Sequence, residues 1–139
     1  MSALESLIRL HRWQLDERRR QLAELDALGE KLRQEQARLS AEERQEQTAA
    51  ASSYEAATAY GGYVNTLIGR RDRLKQSLIS VEEQILQARE TLAESYREVK
   101  RYEIASANRT MQQRKRVARQ QQRTLDELGI ENYRRRRGA

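Results

Sequence analysis

The stretch 48-TAAASSYEAATAYGGYV-64 contains no leucine, isoleucine or proline, and its one valine is the last residue. On both sides of it the chain is studded with leucine and charge. If one helix runs through it, two chains must pair to make a rod. If the chain turns here, one chain makes a hairpin and both termini share an end.

The flanks define what has to be buried. Alternating steps of four and three from Leu4 reach Leu4, Ile8, His11, Leu15, Arg18, Leu22, Leu25, Gly29, Leu32, Gln36 and Leu39, of which seven of eleven are Leu or Ile. The same steps later give Val64, Leu67, Arg71, Leu74, Leu78, Val81, Ile85, Ala88, Leu92, Ser95, Val99 and Tyr102. Apolar residues repeating every 3.5 positions form a narrow stripe that must pack on another helix. The two stripes are in phase, so register alone leaves open an unbroken helix in a parallel dimer. Core quality favours the hairpin, because no branched aliphatic occurs over residues 40–63 and Glu43 and Glu46 occupy seam positions there. Ser52 and Glu55 have the spacing of a capping box that would start a second helix. A fold-back near residues 51 and 52 pairs positions summing to roughly 103, with Leu39 by Val64, Gln36 by Leu67, Leu25 by Leu78, Leu22 by Val81 and Leu4 by Val99.

The expected fold is therefore all-α: two long helices folded back as an antiparallel coiled-coil hairpin. The expected bounds are about 3–49 for the first helix, about 49–53 for the turn and about 53–128 for the second helix. A basic tail over 129–139 follows, because Gly129, with Leu125 and Ile130 around it, fits a left-handed helix stop. Gly61 and Gly62 fall inside the second helix, either as a tolerated weak spot or as a flexible or closely approached segment. The second helix outruns the first, leaving about 25 residues, "EIASANRTMQQRKRVARQQQRTLDE", without a partner. Such a polar helix is marginal alone: it is either a fraying solvated arm or a segment ordered inside a partner. Leu7, Leu10 and Trp13 lie three apart on an outer stripe, as an anchor or as ordinary exposed apolar residues.

Composition excludes most chemistry. Charged residues make up 35% of the 139, with no Phe, Pro or Cys, one Trp and one His. That is too little apolar area for an ordinary globule and suits long helices. The N-terminal sequence has no uninterrupted apolar segment, so neither a signal peptide nor a membrane span is expected. His11 sits on the seam as a polar register residue, and no cluster of Cys, His and carboxylates can close a metal site. No catalytic, cofactor-binding or metal-binding residue is assigned, and the chain reads as a non-enzyme without cofactors. The net charge of +6 is concentrated at one end: residues 107–139 carry 10 basic and 3 acidic groups. Arg134, Arg135, Arg136 and Arg137 would attract nucleic acid phosphates or an anionic membrane surface. With no base-reading module and no aromatics between the arginines, nucleic acid is the weaker expectation.

The segments "LESLIRLHRWQLDERRRQLAEL", "YGGYVNTLIGRRDRL", "YREVKRYEIA" and "LDELGIENYRRRR" together resemble the flagellar export protein FliJ family in its α-proteobacterial form. The resemblance implies a monomeric, stalk-like, antiparallel coiled coil of the type III flagellar export apparatus. It would be cytoplasmic and peripherally attached to the inner membrane at the flagellar base. Implied partners are the hexameric export ATPase FliI, the export gate protein FlhA, the ATPase regulator FliH and export chaperones. Carried onto this chain, the ATPase contact falls on the overhang, residues 108–128, with Arg109, Arg114, Arg116, Arg119 and Arg123 facing the ring. Leu7, Leu10 and Trp13 lie at the same end. The gate contact falls on Tyr63, Leu67, Arg70 and Leu74, although Leu67 and Leu74 are also seam positions. Arg70 and the neighbouring Gly61 and Gly62 depart from the family pattern.

Overall fold

The computed structural model describes residues 2–138. Helix α1 spans Ala3–Ala50 and helix α2 spans Tyr54–Gly138, and the two pack against each other as an antiparallel hairpin. Residues 51–53 make the turn. The leucine-free stretch is thus where the chain reverses.

Local chemistry sets the three ends. Helix α1 opens with a reciprocal capping box: Glu5 N–H donates to Ser2 Oγ (3.2 Å), and Ser2 N–H donates to Glu5 Oε2 (3.3 Å). Its signal, 2-SALE-5, is plain in the sequence. At the turn the cap is Ser53 rather than Ser52, with Ala56 N–H donating to Ser53 Oγ (3.1 Å). Ala56 has no polar side chain to reach back, so no box forms. Ser52 instead closes the preceding helix, its hydroxyl and N–H both donating to the Ala49 carbonyl (2.6 and 3.1 Å).

The expected stop at Gly129 does not occur. No described glycine has positive φ, and Leu125 and Ile130 are both exposed, so the contact that would seal a left-handed cap is missing. A glycine inside a helix costs about 1 kcal/mol. The continuing ladder offsets this, with Glu131 paired to Arg135 one turn on (3.0 Å) and arginines at the negative helix end. The residues expected as a loose basic tail, 129–138, are the last turns of α2; Ala139 and Met1 lie outside the described residues.

Contacts divide the hairpin into two compact units, one of residues up to Arg12 with those from Arg97 onward, the other Trp13–Tyr96. In the second, the turn unit, the buried side chains are Leu15, Leu39, Leu67, Val81 and Ile85. In the first, the terminal unit, they are Ile8 and Val99. All seven belong to the 3.5-residue stripes; Arg18 and Arg71 are the exposed exceptions on them.

The pairing level differs from the expected one. In the turn unit Glu42 pairs with Arg70 (3.3 Å), Glu43 with Arg71, and the position a Gly29 Cβ would take is 3.6 Å from both Val81 and Ile85. These pairs sum to 110–114 instead of 103, so Leu39 does not face Val64, nor Leu22 Val81. The slide of seven to eleven residues spans two to three of the 3.5-residue seam intervals, so a periodic seam stays in phase and the pattern cannot tell the two levels apart. Size and charge can. The observed level sets Gly29 against two branched side chains and gives Glu42 and Glu43 cationic partners; the expected one would have opposed Arg18 to Ile85. Nothing over residues 44–62 is buried, so the turn-proximal segment imposes no level of its own.

Candidate functional site

The terminal unit carries the part of α2 that packs on no other element. Within it His11 stacks on Tyr102, ring centroids 4.7 Å apart, and Arg12 pairs with Glu103 at 3.2 Å. Lys100 approaches the other carboxylate oxygen of Glu103 at 3.3 Å. These cations, Lys100 first and Arg12 after it, hold the Glu103 carboxyl below its ordinary pKa against the opposing effect of desolvation. This cluster closes the paired part of the unit. Ser106 is the last half-buried residue, and every residue over 107–138 is exposed although helical.

That unpaired helix holds the five arginines assigned to the ATPase ring: Arg109, Arg114, Arg116, Arg119 and Arg123 are all exposed. At 100° per residue, Arg109, Arg116 and Arg123 share one face, continuing the line of the seam beyond its last partner. Arg114 projects from another side. Leu7 is half-buried and Leu10 exposed in the terminal unit, whereas Trp13, 61% exposed, belongs to the turn unit.

Arg134, Arg135, Arg136 and Arg137 are helical, so successive guanidinium groups point about 100° apart and do not form one patch. Arg135 is engaged by Glu131, and Arg137 lies 5.8 Å over the Tyr133 ring. This arrangement suits a helix end countering its own dipole better than a phosphate-gripping surface.

The four gate residues are not equivalent. Leu67 is 1% exposed, the most deeply buried side chain of the described residues. Leu74 is half-buried, and Arg70 reaches across the seam to Glu42 while staying 45% exposed. Tyr63 is half-buried; its hydroxyl oxygen is shielded from solvent and lacks a hydrogen bond of good geometry. Burial raises its pKa, and the carboxylate of Glu42 raises it further. On the closed hairpin a partner would meet Arg70 and the edges of Tyr63 and Leu74. Gly61 and Gly62 face open space, with nothing within 4 Å of a Cβ at either position, so close approach does not explain them.

Apolar residues outside both assignments also emerge. Ile104, just before the unpaired helix, and Met111, Leu125 and Leu128 on it are exposed. The spacing of Ile104, Met111 and Leu125 by multiples of seven was present in the sequence, overshadowed by the density of arginine and glutamine. No group of three or more potential metal ligands exists among the described residues, and no helix is long and apolar enough to cross a membrane.

A family model described as Flagellar FliJ protein matches residues 1–138. No curated protein and no solved structure matches the chain.

Proposed function

Since this chain belongs to the flagellar FliJ protein family and is a component of the flagellar export apparatus, we propose that its unpaired helix is the element that engages the hexameric export ATPase FliI. The observation that carries this is the exposed, helical segment over 107–138, with 10 basic and 3 acidic groups in residues 107–139. A lone polar helix of this kind gains stability when walls of opposite polarity surround it. A ligand that binds only the assembled ring favours assembly by mass action. Arg109, Arg114, Arg116, Arg119 and Arg123 supply the charge for that contact.

The remaining assignments follow the same family reading. The chain acts without catalytic chemistry or cofactor, as a stalk rather than an enzyme. Arg70, with the exposed edges of Tyr63 and Leu74, touches the export gate protein FlhA near the turn; Leu67 stays in the core. FliH and export chaperones are further partners. The protein works in the cytoplasm, peripherally attached to the inner membrane at the flagellar base, and has the α-proteobacterial form of the family.

Truncation after Ser106 removes the unpaired helix and keeps the His11, Arg12, Tyr102 and Glu103 contacts. The full chain should raise ATP turnover by its cognate FliI, and the truncated chain should not, with its melting temperature nearly unchanged. Equal stimulation by the two forms would contradict the assignment.

A further inference from the structure

Three of the five arginines proposed for the ring contact, Arg109, Arg116 and Arg123, share one face of the unpaired helix, and the opposite side is apolar. Ile104, Met111, Ala118 and Leu125 recur every seven residues on a side roughly 160° from Arg109, Arg116 and Arg123. Ile104, Met111 and Leu125 are 60%, 56% and 62% exposed. A shallow, mainly apolar saddle between Val117, Thr124 and Leu125 adjoins this stripe. From the geometry we infer that the stripe is a docking seam for an acidic α-helix of another protein, on the side opposite the face shared by Arg109, Arg116 and Arg123.

The period identifies the occupant as a helix. A strict seven-residue stripe drifts about 20° per heptad, which a supercoiling partner helix follows and a flat surface does not. A helix lying on a membrane needs an apolar sector of roughly 100° or more, with basic groups bordering it. Here the stripe is one residue wide per heptad, short of such a sector.

Charge identifies the partner's chemistry. Residues 104–125 contain six basic groups and no acidic one. A second copy of this helix would meet like charge along its length, whereas an acidic helix would not. Arg114 and Lys115 flank the stripe on opposite sides, each at roughly 50° from its centre. Those are the positions from which cations meet glutamates of a partner in a coiled coil.

The inference goes beyond the ATPase reading and is tested apart from it. The probe is a synthetic helical peptide of four heptads, with leucine at the seam positions and glutamate beside them, titrated calorimetrically into the full chain. Binding at micromolar or lower Kd is expected. The double variant Met111→Asp, Leu125→Asp should lose at least tenfold in affinity while its melting temperature holds, since both side chains are exposed. Arg114→Glu with Lys115→Glu should switch preference to the same peptide carrying lysine for glutamate. Arg109→Gln, Arg116→Gln and Arg123→Gln together should keep most peptide affinity and lose ATPase stimulation; loss of stimulation alone bears only on the ring contact. Several results would overturn the inference: equal affinity for the Met111, Leu125 variant, equal affinity for a peptide with serine in place of leucine, or preference for phosphatidylglycerol vesicles over the peptide.

Discussion

Gly29 looks like a flaw in a leucine seam, yet at the observed pairing level it lies against Val81 and Ile85. The space it leaves is not tight: a Cβ there would sit 3.6 Å from both neighbours, ordinary van der Waals contact. Gly29→Ala should therefore stabilise the hairpin by about 0.5–1 kcal/mol through the helix propensity gained, read as a higher denaturation midpoint. A lower one would mean that the contact is closer than described. Glu103 gives a prediction in pH. Its folded pKa lies below the unfolded value of 4.5, so its stabilising effect is complete above that value and is lost as pH falls through the folded one. Glu103→Gln should lower the melting temperature at pH 7, and the gap from the parent chain should close below about pH 4.5. Tyr63 runs the other way, its raised pKa favouring the fold below the ordinary tyrosine value of 10.0 and disfavouring it as the phenol ionises above that.

At the scale of elements, the hydroxyl of Ser53 starts α2. Ser53→Ala should cost about 1 kcal/mol, the usual worth of an N-cap, and more than Ser52→Ala, whose hydroxyl shares the Ala49 carbonyl with a backbone N–H that remains. The reverse order, measured by denaturant melts, would restore Ser52 as the cap. Both helices and the turn were legible in the sequence, because the seam repeats over many heptads and fails between Leu39 and Val64. The pairing level was not legible, since heptads shifted by seven look alike and only Gly29, Glu42 and Glu43 distinguish them. The end of α2 was not legible either, because Gly129 has two uses, and only neighbours able to seal a left-handed cap would have selected the stop.

At the scale of the whole molecule, the ATPase and docking proposals both depend on one chain folding back and leaving the end of α2 without a partner. The basic arginines of that end were visible from composition. The apolar stripe was hidden among them, since three large residues over four heptads barely raise mean hydropathy. Hairpin and level are testable together, because the chain has no cysteine and two introduced ones report alone. Ser40 and Asp72 border the same shallow surface depression across the seam of the turn unit. Spin labels at Ser40→Cys and Asp72→Cys, measured by pulsed dipolar spectroscopy in a large excess of unlabelled chain, should give one short distance of roughly 20 Å or less, as for neighbouring packed helices. A distance near about 48 Å, the rise over the residues between them in one unbroken helix, would contradict the fold-back and both proposals built on it.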